Sequence, residues 1–248
     1  MVVVVPLMDE FREEREEVKN RSFKERMKYF WDYYKWHVIG SVIAVFAVIS
    51  LILTFVTRKD TAYYSAFINM AENWSCEDYK KEFAALAGIN LKKHAMYFDS
   101  DLHMDLANMD QTTFTAVQKI MVYISAKELD SMLADGPAMN RYAYNDVFMD
   151  LRDFLTEEEM AKYEPYFYYM DRALVDQQSE ELNTDVDYPA DPTDPSAMTD
   201  PVPVGIYLHD CKKLSEAYFY GNNQCFAVLI NSSHTELNHV FLNFIMEN

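Results

Sequence analysis

Two carboxylates lie near the ends of an apolar stretch, and they could bind a ligand. Asp130 lies near the start of residues 129–134, which we predict to be a strand, and Asp135 follows their end. In an open α/β sheet, ligands bind beyond the carboxyl ends of strands, so Asp135 is the first candidate for a ligand-binding residue. The alternative role for Asp135 is a helix N-cap, because Gly136 and Pro137 signal a helix start. The sequence alone leaves both roles open.

A cleft beyond this strand would take more side chains from the segment that follows. We predict a helix over residues 138–144, and Tyr142, Tyr144 and Asn145 could line the cleft beside Asp135. These four residues are the binding site that the sequence predicts.

Histidine and serine residues give no sign of a metal centre or a nucleophile. His234 and His239 are separated by about 140° around a helix, whereas helical zinc sites use histidines four residues apart. Ser232 and Ser233 precede His234, but the chain has neither a Gly-x-Ser-x-Gly turn nor a Ser-x-x-Lys pair. No pair of carboxylates stands out by its spacing either. We therefore predict no cofactor, no metal site and no enzymatic activity.

Residues 176–203 differ in composition from the rest of the chain. They hold five of its eight prolines and many Asp, Glu, Ser and Thr residues, which predicts an acidic, solvated loop. The aspartates of this segment would also allow a calcium site, since calcium prefers carboxylate oxygens, and they are Asp185, Asp187, Asp191, Asp194 and Asp200. The loop lacks the glycine and terminal glutamate of a helix-loop-helix calcium site, which favours the solvated loop.

The elements around these residues alternate between short β-rich runs and helical stretches, which is typical of an α/β domain. The predicted strands cover residues 63–69, 94–98, 129–134, 166–170, 204–208 and 225–230. The predicted helices cover residues 77–87, 113–125, 138–144 and 235–246, and another begins at Thr156 with a capping-box pattern. Cys211 and Cys225 could form a disulfide within this domain, with isolated thiols as the alternative.

One uncharged apolar run, residues 38–56, precedes this domain. A helix of this length covers about 30 Å, the hydrocarbon thickness of a bilayer, so we predict a transmembrane helix over residues 37–57. Six Lys or Arg residues lie in the 20 or so residues before the run, whereas only Arg58 and Lys59 closely follow it. This bias predicts an uncleaved signal anchor in the cell membrane, with a cytoplasmic N-terminus and an extracellular C-terminal domain.

The segment before the membrane, residues 1–36, is predicted to be an amphipathic cytoplasmic helix. Phe23, Met27, Phe30 and Tyr34 recur at spacings of four, three and four residues, which places them on one helical face. Aromatic residues at its end favour the headgroup layer of the bilayer. The helix could serve to orient the anchor, or it could bind a partner protein.

Residues 60–248, the predicted extracellular domain, are strongly acidic. Residues 1–59 hold 10 Lys or Arg and 8 Asp or Glu, which leaves 12 basic and 32 acidic residues, a net charge of −20, for the remainder. Such a domain repels nucleic acids, so we expect no nucleic-acid partner.

Several segments resemble extracellular solute-binding proteins. The resemblance rests on residues 127–135, 147–155, 204–210 and 226–234, and the Phe-Trp-Asp-Tyr-Tyr-Lys-Trp run at residues 30–36 is similar to that of uncharacterised single-span proteins of low-GC Gram-positive bacteria. It implies a reduced periplasmic-binding-protein-like domain of type 2. Its length is far below that of a two-lobed receptor.

These observations predict a membrane-anchored, non-catalytic protein that binds a small molecule or peptide outside the cell. The alternative is a structural or regulatory protein with a degenerate binding fold that interacts with another membrane protein. In both cases the lipid bilayer is a partner.

Overall fold

The computed structural model describes residues 22–70, 76–175, 188–208, 211, 214 and 224–246. The chain divides into two compact units, Met1–Arg58 and Lys59–Asn248. Residues 1–21 of the predicted cytoplasmic helix and residues 176–187 of the predicted loop lie outside the described residues.

The first unit contains helix α1, Phe23–Thr57, which is 35 residues long. Its part from Tyr34 to Thr57 has a mean hydropathy of 2.7 and no buried residues, so it is long and apolar enough to cross a membrane. The predicted span at residues 37–57 lies within it. The helix is thus compatible with a membrane anchor or a signal sequence.

The second unit is built on a six-stranded mixed sheet with the strand order β2-β1-β3-β6-β5-β4. Strands β1, β2 and β3 are parallel, whereas β6 runs antiparallel to β3 and to β5, and β4 pairs antiparallel with β5. The strands are β1 (Thr61–Ile68), β2 (Ala95–Leu102), β3 (Ser131–Ala134), β4 (Phe167–Asp171), β5 (Pro201–Tyr207) and β6 (Cys225–Val228).

Helices cover both faces of this sheet, because the strands are apolar on both sides. On one face Phe83, Phe98 and Phe241 pack with ring centroids 5.1 to 5.7 Å apart. Burying each such ring stabilises the fold by about 1.5–3 kcal/mol. On the other face Ile120 and Met139 pack against the sheet. The helices are α2 (Cys76–Leu86), α3 (Gln111–Ser125), α4 (Gly136–Ala143), α5 (Leu151–Phe154), α6 (Glu157–Tyr163) and α7 (Thr235–Met246).

The α/β class predicted from the sequence is confirmed, and most predicted elements agree with the structure to within a few residues. Strand β5 is the main difference, because it begins at Pro201, inside the segment predicted to be loop. Its backbone pairs with β4 from Asp171↔Pro201 onward, and this cross-strand pairing is not visible in local composition. Cys211 and Cys225 are both buried and are not joined by a disulfide bond, so the structure agrees with the alternative prediction of isolated thiols.

Candidate functional site

A cavity of about 1030 Å³ lies between helix α4, strands β4 and β5, and residues 188–193. Its volume is at the upper end of the roughly 300–1,000 Å³ that ligand pockets occupy in proteins. Tyrosine and proline side chains dominate its walls, and the charged residues lining it are Arg141 and Asp191.

Helix α4 forms the first wall, and the residue before it fixes its start. The Asp135 carboxylate accepts a hydrogen bond from the Ala138 backbone N–H at 3.1 Å, so Asp135 is the N-cap of α4. The second oxygen accepts from the Asn69 side-chain amide at 2.7 Å. Because both oxygens have partners, Asp135 orients the helix that carries Asn140 and Arg141 into the cavity lining.

Strands β4 and β5 form the second wall through Tyr168 and Tyr207, whose ring centroids are 5.9 Å apart. The Tyr168 hydroxyl donates a hydrogen bond to the Asn140 side-chain oxygen, which ties this wall to α4. Burial raises the pKa of both phenols, and the nearby Cys225 thiol raises them further. Both hydroxyls therefore stay protonated at neutral pH and keep their hydrogen-bond donors.

Residues 188–193 form the third wall, which we call the strap. The Pro192 carbonyl accepts a hydrogen bond from the Tyr169 backbone N–H at 2.7 Å, so the strap is tied to edge strand β4. The Asp191 carboxylate accepts from the Thr193 backbone N–H at 2.9 Å and from its hydroxyl at 2.7 Å, which closes a tight turn. The strap thus has defined local contacts, although it lies within an acidic, proline-rich segment.

Asp171 closes the connection between β4 and β5 beside the strap. Its carboxylate accepts hydrogen bonds from the backbone N–H groups of Thr199 at 2.8 Å, Asp200 at 2.9 Å and Ala173 at 3.1 Å. Burial alone would raise the pKa of Asp171, but these donors stabilise the ionised form more strongly and lower the pKa below its usual value. The Asp171 backbone N–H in turn donates to the Tyr144 hydroxyl at 3.1 Å.

The four residues predicted from the sequence occupy different positions around this cavity. Asn145 lines it. Asp135 caps the helix at its margin, and Tyr144 is buried behind the strap, where its ring contacts that of Tyr188 with centroids 4.6 Å apart. Tyr142 is 1% exposed, lies outside the lining and contacts the Met104 sulfur at 3.9 Å.

Sequence reasoning missed most of the lining. The lining tyrosines come from three separate segments, and no local pattern distinguishes them among the 18 tyrosines of the chain; they are Tyr166 and Tyr168, Tyr188, and Tyr207. Asn140 and Arg141 could have been predicted to line the cavity, because they lie on the helix that follows Asp135, the residue predicted to bind a ligand at the end of a strand.

A second polar cluster lies at the amino end of β3, around Asp130. One carboxylate oxygen contacts the Ser232 hydroxyl at 2.7 Å and His234 Nδ1 at 2.9 Å, and the other accepts from the Tyr64 backbone N–H at 2.9 Å. In a catalytic triad the serine hydroxyl donates to the histidine, but here it donates to the carboxylate. The Asn238 side-chain amide and the His234 backbone N–H also donate hydrogen bonds to the Ser232 hydroxyl. This network provides the buried Asp130 carboxylate with hydrogen-bond partners.

No group of three or more His, Cys, Asp or Glu side chains is arranged to hold a metal ion within the described residues. In the predicted acidic loop, Asp191 and Asp194 each accept hydrogen bonds in local turns. Asp185 and Asp187 lie outside the described residues.

Comparison of the chain with family models, with curated proteins and with solved structures finds no match. The geometry of the cavity and the apolar character of helix α1 are therefore the features that bear on function.

Proposed function

We propose that the chain is a single-span membrane protein whose domain at Lys59–Asn248 binds a small ligand in the cavity beside α4 without chemically changing it. The observation that carries this proposal is the cavity itself, about 1030 Å³ in volume and walled by tyrosines from three separate parts of the fold. The apolar segment Tyr34–Thr57 supports the membrane anchor. The bias of Lys and Arg toward its N-terminal side supports a cytoplasmic N-terminus and an extracellular domain.

The proposed fold relationship is to the extracellular solute-binding proteins. It is supported by the sequence resemblance and by the parallel order β2-β1-β3, with the cavity beyond the carboxyl end of β3. The described part of the domain has one sheet, so the ligand binds to one lobe. The strap takes the place that a second lobe has in larger receptors.

The lining limits the chemistry of the ligand. One guanidinium, that of Arg141, suits one carboxylate group, whereas a polyanion would be repelled by a domain with a net charge of −20. The faces of Tyr166, Tyr188 and Tyr207 suit a flat or ring-shaped body. A small monocarboxylate with a ring, or a short peptide ending in a carboxylate, meets both conditions.

The test uses the full chain in lipid nanodiscs. Thermal unfolding is measured against a panel of ring-bearing monocarboxylates and dipeptides, together with their amides as uncharged controls. Ligands that stabilise the protein are then titrated calorimetrically against Arg141→Gln. The matched control is Arg152→Gln, which removes an arginine that is paired with Asp150 and does not line the cavity.

We expect a carboxylate ligand to bind at least tenfold more weakly to Arg141→Gln, a loss of about 1.4 kcal/mol, and normally to Arg152→Gln. The proposal fails if no member of the panel stabilises the folded protein, or if Arg141→Gln leaves the affinity unchanged.

A further inference from the structure

The connection between the apolar segment of helix α1 and the first strand of the sheet is short. Helix α1 ends at Thr57 and strand β1 begins at Thr61, so three residues join them. An extended chain advances about 3.5 Å per residue, so the connection reaches about 14 Å at full extension. A membrane anchor at Tyr34–Thr57 therefore keeps the amino end of β1 close to the bilayer surface.

The strand directions determine which connections share that end of the sheet. Strands β2 and β3 run parallel to β1, so their amino ends lie at the same edge, and β6 runs antiparallel to β3, so its carboxyl end joins them. The Lys59 ammonium donates a hydrogen bond to the Leu91 carbonyl at 2.7 Å. The Asn231 side-chain amide donates to the Ile124 carbonyl at 2.8 Å. We call this region the amino-end surface, and it comprises the connections at residues 58–60, 87–94, 126–130 and 229–234.

The amino-end surface is basic, although the domain as a whole is strongly acidic. Its connections hold five Lys or Arg and three Asp or Glu, a net charge of +2, whereas residues 60–248 together have a net charge of −20. One of the three carboxylates, that of Asp130, is buried. The five basic residues are all exposed, and they are Arg58, Lys59, Lys92, Lys93 and Lys127.

The opposite end of the same strands has the opposite charge. Residues 95–118, which run along β2 and past its carboxyl end, include four aspartates and no Lys or Arg. Asp135 follows the carboxyl end of β3. The domain is therefore polarised along its parallel strands, and a negatively charged surface attracts the amino end and repels the other end.

Exposed apolar side chains accompany the lysines. Val122 in the last turn of α3 is 64% exposed, and Ile230 in the connection after β6 is 51% exposed. The hydrogen bond between Asn231 and Ile124 holds these two segments together. Apolar side chains beside lysines are typical of surfaces that bind at the boundary between lipid headgroups and acyl chains.

We propose that the amino-end surface docks on the bilayer that anchors the chain, with its lysines at anionic lipid headgroups. The short connection holds this surface beside the bilayer at a high effective concentration, so individually weak contacts are sufficient. Docking leaves the cavity accessible, because its lining residues Gly136 and Pro137 follow the opposite end of β3. The proposal rests on the membrane anchor of the proposed function, but it does not require a ligand in the cavity.

The test uses the full chain in vesicles of mixed phosphatidylcholine and phosphatidylglycerol, with vesicles of phosphatidylcholine alone as the uncharged comparison. Energy transfer is measured from a dye on the domain to an acceptor on the lipid headgroups. The dye is attached to Ser233→Cys at the amino-end surface or to Ala107→Cys beyond the carboxyl end of β2. In both cases the three native cysteines are replaced by alanine.

Two charge variants are matched in this assay. Lys92→Gln combined with Lys93→Gln removes two adjacent lysines from the amino-end surface. The control, Lys80→Gln combined with Lys81→Gln, removes two adjacent lysines of α2 that lie outside this surface and are already in ion pairs. Both variants change the net charge of the chain equally, and thermal unfolding of the Lys59–Asn248 unit checks that both fold.

We expect transfer from position 233 to be at least about twofold more efficient than from position 107 in the mixed vesicles. The difference should shrink in phosphatidylcholine alone and in the variant at Lys92 and Lys93, and it should persist in the control. Equal transfer from the two positions would overturn the proposal, and so would a difference that depends on neither the lipid charge nor these two lysines.

Flotation of the vesicles after an alkaline wash separates failure of the anchor from failure of docking. A chain that leaves the vesicles contradicts the membrane anchor, and docking is refuted with it. A chain that stays with the vesicles but shows equal transfer from the two positions contradicts docking alone.

Discussion

The ring of Tyr188 packs against the ring of Tyr144, with centroids 4.6 Å apart and planes inclined by 45°. Tyr188 lines the cavity, whereas Tyr144 is buried behind it and also accepts a hydrogen bond from the Asp171 backbone N–H. A residue outside the cavity therefore positions one of its walls, and the strap depends on a contact with the C-terminal end of α4.

Substitutions of Tyr144 should separate the two contacts. Tyr144→Phe keeps the ring and removes the hydroxyl that the Asp171 N–H donates to, so we expect it to lower the free energy of unfolding by about 1 kcal/mol. Tyr144→Ala removes the ring as well and should lower the free energy of unfolding by about 3–5 kcal/mol, as other truncations of large aromatic side chains in a core do. Limited proteolysis should then cut near residues 188–193 faster in Tyr144→Ala than in Tyr144→Phe. Equal cutting of the two variants would mean that the ring does not hold the strap.

The contribution of Asp171 to stability should depend on pH. Because its backbone donors lower its pKa in the folded protein, the contribution is fully present above the unfolded pKa of about 4. It is lost as the pH falls below that value and through the lower folded pKa. Asp171→Asn lacks the carboxylate at every pH, so its stability deficit relative to the unmodified chain should be largest near pH 7 and shrink toward pH 3.

Urea unfolding at several pH values between 3 and 7 measures this deficit. Asp101→Asn, at an exposed position, serves as the control and should show little deficit at any pH. A stability deficit of Asp171→Asn that does not change with pH would contradict the prediction that the ionised Asp171 carboxylate stabilises the fold.

Asp130 should act as a structural residue and not as part of a nucleophilic site. Asp130→Ala leaves the Tyr64 N–H, Ser232 and His234 without their acceptor, and we expect it to destabilise the domain by about 3 kcal/mol or more. Asp101→Ala, at an exposed position, should change stability by less than about 0.5 kcal/mol. Chemical denaturation gives both values.

The same cluster can be tested for reactivity. Because the Ser232 hydroxyl donates to a carboxylate, we expect no covalent labelling of Ser232 by a fluorophosphonate, as read by mass spectrometry. Selective labelling of Ser232 in the folded protein would show an activated serine.

The start of helix α6 should depend on a capping box. The Glu159 backbone N–H donates to the Thr156 hydroxyl at 3.3 Å, and the Thr156 backbone N–H donates to the Glu159 carboxylate at 3.0 Å. Thr156→Ala should therefore lower the free energy of unfolding by about 1 kcal/mol, whereas Thr156→Ser keeps the hydroxyl and should lower it less. Thermal or chemical unfolding measures both values. A similar loss in both variants would show that the cap is not the cause.

Elements with strong local signals could be predicted from the sequence. The capping box before α6, the acidic N-cap before α4 and the closing helix at Thr235–Met246 all depend on residues within one or two helical turns. Strand β5 was predicted at residues 204–208, but its first three residues, 201–203, could not be predicted, because they pair with β4 across a long connection and lie in a segment of loop-like composition.

The sequence by itself determined the apolar helix, the α/β alternation and the acidic character of the larger domain, because each depends on composition or on neighbours along the chain. The tertiary structure decided which side chains line the cavity. Arg141, Tyr168, Tyr188 and Tyr207 meet there because the β-strand order and the strap bring separate segments together. That meeting depends on long-range pairing and packing, which leave no periodic signal in any one segment.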